Sequence, residues 1–266
     1  MPVGPARMPL LDHLSELRRR LTIIVVCVLV TTCVIYMASP TLIELLIDPV
    51  RQFMPEGGKL YITTALGGFT LRFKVAAFFA VIVCCPIIIF QALGFFMPAL
   101  KPSEQKWVMP TVAALVFLFF FGMLFCYFII LQATFGWMLD QTVDFAEIFA
   151  NAEDYINIIM LLELGFGAAF ELPLIIFYLA IFHLVPYKNL RENWRYIYVG
   201  LLVGSAVVTP DASPVTMFLM FGAVVILYEA SLFVARRVLI ARDGKESLKW
   251  TRDEYAEYKL EKDDED

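Results

Sequence analysis

The chain has little charge and little catalytic vocabulary. Only 18% of its 266 residues are charged, and its two histidines, His13 and His183, lie at opposite ends without metal-ligating neighbours. Both read as interfacial polar residues. There is no CxxC pair: Cys27, Cys33, Cys84, Cys85 and Cys126 all fall inside apolar runs and read as small apolar fillers, not as a disulfide framework or metal site. Walker A, HExxH and GxSxG patterns are missing, and the apolar stretches hold no nucleophile–base pair. These absences argue against nucleotide hydrolysis, zinc peptidase and hydrolase chemistry, so the chain reads as a non-enzyme with no cofactor. Without a basic excess (the net charge is −5), nucleic acid is not an expected partner. No internal repeat is evident, which argues against an inverted-repeat transporter.

What the chain has in quantity is apolar sequence. It is 60% hydrophobic with a mean hydropathy of +0.74, in the range of polytopic membrane proteins. Charge-poor stretches predict six spans, over about residues 21–39, 71–96, 107–132, 155–182, 195–209 and 214–235. The first apolar run, Leu21–Ile43, is too long for the core of a cleavable signal peptide and reads as a span. The fifth is short: Tyr196–Val208 offers only about 20 Å of helix at 1.5 Å per residue. Spans five and six are therefore expected as a short hairpin that thins the bilayer locally. The fourth includes Glu163 and Glu171, and the sixth includes Glu229. The expected organisation is an all-α membrane domain over residues 1–237, followed by a tail over 238–266. The tail is acidic, with ten acids against six bases in Ala241–Asp266.

With both termini inside, 17 of the 21 basic residues face the cytoplasm, which fixes the predicted orientation by the positive-inside rule. Arg51, Lys59, Arg72 and Lys74 are the outer exceptions. The longest outer segment, Ser39–Phe69, carries three prolines and two Gly-Gly pairs and predicts a cap of short pieces. Pro86, Pro110, Pro173, Pro210 and Pro214 lie within or at the ends of spans, where each removes a backbone hydrogen bond and can kink its helix; several kinks predict a concave body.

Ahead of the first span, Leu10, Leu14, Leu17 and Leu21 recur at helical spacing, predicting a short amphipathic helix that lies on the membrane and leads into it. Its polar side carries Glu16 beside Arg18, Arg19 and Arg20. An acid suits a membrane anchor poorly, since anionic headgroups repel it, and suits a basic partner better.

Five blocks together resemble one family. They are His13–Leu21, Asp48-Pro49, Gln91–Leu100 with Glu104 four residues on, Phe166–Pro173, and Val208-Thr209-Pro210-Asp211. In order and spacing they resemble TatC, the receptor subunit of the twin-arginine protein translocase, from about Leu10 to Arg237. The resemblance implies a six-helix, glove-like bundle in the cytoplasmic (inner) membrane that self-associates in a larger complex. It implies binding of signal peptides bearing two consecutive arginines on folded cargo, assembly with single-span TatA and TatB partners, and transport driven by the proton-motive force. It assigns peptide recognition to Glu16 and Glu104, flanked by Leu17, Arg18 and Phe95. It assigns intramembrane or partner roles to Glu171, Pro49 and Asp211. Glu163 departs from the family pattern, which usually has leucine there.

The chemistry fits: two arginines present rigid charged forks, and carboxylates accept them bidentately. Plainer readings stand beside it. Glu16 has Arg19 and Arg20 at i+3 and i+4, and Glu104 is a first-turn acid after Pro102 and Ser103. Exposed ion pairs contribute about 0–1 kcal/mol, whereas micromolar binding needs roughly 8 kcal/mol. Charge would thus set register and selectivity, with apolar burial supplying most of the affinity. Glu163, Gly167 and Glu171, at successive turns, predict a polar stripe along span four, which a proton-coupled solute transporter would use as a relay. Gly200 and Gly204 predict a site of close helix packing. Glu229, about two turns before Arg236, predicts a snorkelling or capping contact there.

Overall fold

The computed structural model describes residues 10–54, 60–96, 108–141, 151–209, 213–251, 253–255 and 257–258. Among them the fold is all-helical, apart from an isolated bridge between Tyr61 and Asn151. Five helical stretches are long and apolar enough to cross a membrane, and the sixth, Trp194–Val208, is shorter. The chain divides into two compact units, residues 1–120 with 139–160 and residues 121–138 with 161–266.

In the first unit, α1 runs unbroken from Leu10 to Ile35. The amphipathic segment is therefore the opening of the first membrane helix and not a separate surface helix. No proline or glycine falls between Leu10 and Ile35 to stop it. A 3₁₀ turn over Tyr36–Ala38 leads to α2 (Ser39–Ile47), started by Pro40, and a second 3₁₀ segment covers Asp48–Phe53. The described part of the segment between the first two membrane helices is thus the expected series of short pieces. Helix α3 (Gly67–Phe96) packs along α1 and α2 and holds Pro86 in its interior. Cys84 donates to Thr31 Oγ1 at 3.4 Å across the α1–α3 seam. The opposite side of α1 is open, with Leu14, Val26, Val30 and Val34 all exposed, as befits a helix whose solvent is lipid. Three cysteines, Cys84, Cys85 and Cys126, are buried fillers as expected; Cys33 is exposed.

Helix α4 (Val108–Phe125) begins with Pro110 in its first turn and passes through a π-helical stretch, Cys126–Ile130, into α5 (Leu131–Asp140). Helix α6 (Ala152–Ala169) stops at Phe170–Glu171, and α7 (Leu172–Ile181) restarts with Pro173 in its first turn. The break has a direct cause. Pro173 cannot donate to Ala169, and Glu171 N bonds Ala168 O at 3.1 Å in a tightened turn. The polar stripe expected along span four is interrupted there: Glu163 is 4% exposed, whereas Glu171 is half-buried beyond the break. Of the flagged prolines only Pro86 sits mid-helix; Pro110, Pro173 and Pro214 open helices, and Pro210 lies outside the described residues.

The second unit closes with α8 (Tyr187–Glu192), α9 (Trp194–Val208) and α10 (Pro214–Asp243). Ser213 caps α10 by accepting from Thr216 N at 3.3 Å, and Thr216 shares a buried 2.8 Å hydroxyl contact with Thr134 of α5. Ala180, Ile181, Leu190, Tyr228, Leu232, Ala235 and Leu239 form its core. Tyr228 donates to the Leu190 carbonyl at 2.9 Å, so the buried hydroxyl is satisfied. Gly200 and Gly204 do not mark close packing within the chain, since a Cβ at either would meet nothing within 4 Å. A close approach falls at a glycine outside that pair: a Cβ at Gly122 would lie 2.7 Å from the Phe166 carbonyl oxygen and 2.9 Å from Phe170 Cγ.

His183 is buried and not an exposed polar residue. It follows α7 at φ 52°, is 1% exposed, and stacks on Tyr255 with ring centroids 4.4 Å apart. Trp250 lies 6.3 Å from its ring, and Arg242 reaches both the Ile181 carbonyl (3.2 Å) and His183 Nε2 (3.5 Å). The start of the tail is thereby folded onto the end of α7. Burial and the Arg242 cation hold the His183 pKa below its ordinary 6.5, while the Trp250 backbone and Asp243 oppose the shift.

Two outcomes follow from this packing. Gly122→Ala should cost about 1–3 kcal/mol, because a backbone carbonyl cannot give way, and Gly222→Ala, which faces open space, should be near neutral; thermal melts of both variants compare them. The stability contributed by neutral His183 is complete above about pH 6.5 and declines as pH falls below it. Trp250 emission, isolated by difference from a Trp250→Phe variant, should become more accessible to quencher between pH 7.5 and 5.5. A flat profile would rule out this titration.

Candidate functional site

Glu16 sits in the second turn of α1, on a surface shared with the final turns of α3. The Arg20 guanidinium joins the two helices. Its Nε and one terminal nitrogen donate to Glu16 Oε1 at 3.0 and 2.6 Å. The other terminal nitrogen donates to Gln91 Oε1 at 3.1 Å and, more weakly, to the Gln91 carbonyl at 3.5 Å. A cation at this place also meets the negative end of the α3 dipole. Gly94 makes the seat possible, because a side chain there would run into the guanidinium. The plainer expectation for Glu16, an i+4 pair with Arg20, is therefore realised, but as one half of an interhelical clamp. Both bonds converge on Oε1.

Around this carboxylate, Leu17 is 43% exposed, Arg18 and Arg19 are exposed, and Phe95 is half-buried at the end of α3. The acid can accept a guanidinium fork of an amphipathic peptide, and the leucine and phenylalanine can cover its apolar side chains, while Arg18 and Arg19 add like charge against a basic one. Glu104 lies outside the described residues, as does Asp211. Pro49 lies at the far end of the first unit, in the 3₁₀ segment Asp48–Phe53, and takes no part in this surface.

The other acids occupy different settings. Glu163 is buried, and none of the ion pairs among the described residues involves it or Glu171. Glu229 pairs with Arg191 and not with Arg236: both of its oxygens accept from Arg191, at 2.9 and 2.7 Å, and Oε1 also accepts from the Tyr198 hydroxyl at 2.8 Å. This group ties α8, α9 and α10 together. Spacing on one helix pointed to Arg236, whereas the real partner lies 38 residues away.

Residues 12–222 match the family model described as Sec-independent protein translocase protein (TatC). This chain belongs to the TatC family. Within it, the TatC protein of Azotobacter chroococcum mcd 1 is 30% identical over 238 residues, covering 89% of this chain and 92% of that one. The protein from Escherichia coli strain K12 is 28% identical over 230 residues, covering 86% and 88%. A crystal structure of the twin arginine translocase receptor TatC superposes with a TM-score of 0.72 at 27% identity, over 85% of this chain and 98% of that one. A second, in DDM, gives 0.73 at 28% identity, over 84% and 99%. The chain is thus a multi-pass membrane component of a protein translocase, and all five blocks of residues that resemble TatC fall inside the matched range.

Sequence spacing located Glu16 and its arginines but not the roles of Gln91 and Gly94, since the contact joins residues 71 positions apart. Gly94→Ala should displace only the flexible end of Arg20, so its stability cost should stay within about 1 kcal/mol. Chemical denaturation of the purified variant checks this, and a loss of several kcal/mol would mean that backbone packing, not the guanidinium, occupies the space.

Proposed function

We propose that this chain is the receptor subunit of a twin-arginine translocase. It binds signal peptides with two consecutive arginines at the cytoplasmic face and passes their folded cargo to TatA- and TatB-type single-span partners, using the proton-motive force. It sits in the inner membrane with both termini in the cytoplasm, and it self-associates in the working complex. The observation that carries this reading is the carboxylate of Glu16 at the open end of the α1–α3 pair, beside exposed Leu17 and half-buried Phe95.

Arg20 gives the mechanism its starting state. Glu16 already holds one guanidinium, that of Arg20. An incoming arginine competes for that acceptor, so binding exchanges one charge-assisted bond for another and the net electrostatic gain is small. Selectivity then comes from the planar fork, which lysine cannot reproduce, and affinity comes from the apolar part of the signal peptide. Glu104 supplies the second carboxylate, and Arg18 flanks the site. Glu171, half-buried where span four breaks, meets a polar side chain of a partner helix; Pro49 and Asp211 shape the outer partner surface. The solute-relay alternative has less support, because Glu163 is buried within α6 whereas Glu171 is half-buried at the break after it.

Binding of a labelled twin-arginine peptide to the purified protein tests the reading. Glu16→Gln and Glu104→Gln should each weaken binding and narrow the preference over a twin-lysine peptide. Arg20→Gln should instead strengthen binding, by about fivefold, as expected from releasing a half-buried i,i+4 pair worth about 1 kcal/mol. Equal binding of twin-arginine and twin-lysine peptides by the unmodified protein would defeat the proposal.

A further inference from the structure

The first unit holds a cavity of about 630 Å³ at the end opposite Glu16, between α2, the 3₁₀ segment after it and the start of α3. Its apolar walls include Tyr36, Ile43, Ile47 and Phe69, and its charged lining residues are Glu44, Arg51 and Arg72. The sequence builds it directly. Glu44, Ile47 and Arg51 follow one another at spacings of three and four along successive helical turns, and Phe69 and Arg72 are one turn apart at the start of α3. The Tyr36 and Phe69 rings, with centroids 6.1 Å apart, fix one wall.

The arginines here differ from those that tie helices together. Arg20, Arg191 and Arg242 each sit within 4 Å of a carboxylate, whereas among the described residues no ion pair includes Arg51 or Arg72, and both are exposed. They also stand against the charge bias of the chain, as two of only four basic residues on the outer side. Two forks at the mouth of a partly apolar cavity, at the end of membrane-crossing helices, match a phosphodiester that carries acyl chains. A free phosphate would use the arginines and leave the apolar wall wet. The remaining charge selects among headgroups: Glu44 would repel a bare anion and accept an ammonium group.

We propose that this cavity is a specific site for a phospholipid headgroup of the ethanolamine type. Arg51 and Arg72 hold the phosphodiester, Glu44 accepts from the ammonium group, and the first acyl methylenes lie against Ile43, Ile47 and Phe69. The volume suits a headgroup and its glycerol, not a whole lipid. The site is independent of signal-peptide recognition; only the leaflet that supplies the lipid depends on the proposed orientation.

The test is native mass spectrometry of the full chain after a delipidating detergent wash, titrated with phosphatidylethanolamine, phosphatidylglycerol or inorganic phosphate. The unmodified protein should retain one phosphatidylethanolamine in preference to phosphatidylglycerol, and millimolar inorganic phosphate should not displace it. Arg51→Gln with Arg72→Gln should reduce retention at least tenfold with an unchanged melting temperature, as expected for exposed side chains. Glu44→Gln should bring phosphatidylglycerol up to the level of phosphatidylethanolamine. Full retention by the double arginine variant, equal retention of both lipids by the unmodified protein, or displacement by inorganic phosphate would each overturn the assignment. None of these readouts involves a signal peptide, so the two proposals fail separately.

Discussion

Hydrocarbon offers no hydrogen bonds, and every other feature of this chain is arranged around that fact. A backbone group left unpaired in the bilayer costs several kcal/mol, so a spanning segment has to satisfy its amides within the helix. Interruptions are therefore few and each is managed locally. Pro86 is absorbed inside α3, the Cys126–Ile130 stretch widens its helical turn without breaking the rod, and the gap between α6 and α7 is bridged by short-range bonds at Ala168–Glu171. Among the described residues, Pro40, Pro110, Pro173 and Pro214 stand in first turns, where the missing donor has no partner to lose.

The same constraint makes the charge that remains form junctions between helices. Arg20 with Glu16 and Gln91 closes one end of the α1–α3 seam, and Arg191 with Glu229 and Tyr198 ties together α8, α9 and α10. Each junction joins helices that have few other polar contacts. Among the described residues, the acids of span four and the two arginines of the first unit's cavity form no ion pair, and neither do Arg18 and Arg19.

What could be read from sequence follows the range of the interaction. Apolar runs, the brevity of the fifth helix, the segmented outer cap and the Glu16–Arg20 spacing are all local, and each is visible in a window of a few turns. Partners set by the fold were not legible. Gln91 lies 71 residues from Arg20, and Arg191 lies 38 residues from Glu229. Glycine pattern misled for the same reason, because Gly200 and Gly204 carry the familiar spacing yet face open space. Gly122 has no such spacing and meets a neighbouring backbone. A small residue permits a close approach but does not dictate one. His183 is a further case: nothing near it in sequence announces that Tyr255, 72 positions on, covers its ring.

The wide turn at Cys126–Ile130 has an effect on how this helix could change length. A π turn is an α-helix carrying one surplus residue, so the rods before and after it each keep their own facing direction. Deleting a single residue within the stretch would convert it to ordinary α-helix while leaving Val108–Phe125 and Leu131–Asp140 aimed as they are. The same deletion one turn earlier or later would rotate everything beyond it by about 100°. This stretch is thus the one described place along the third membrane crossing where the gene can lose a codon without turning a buried face outward.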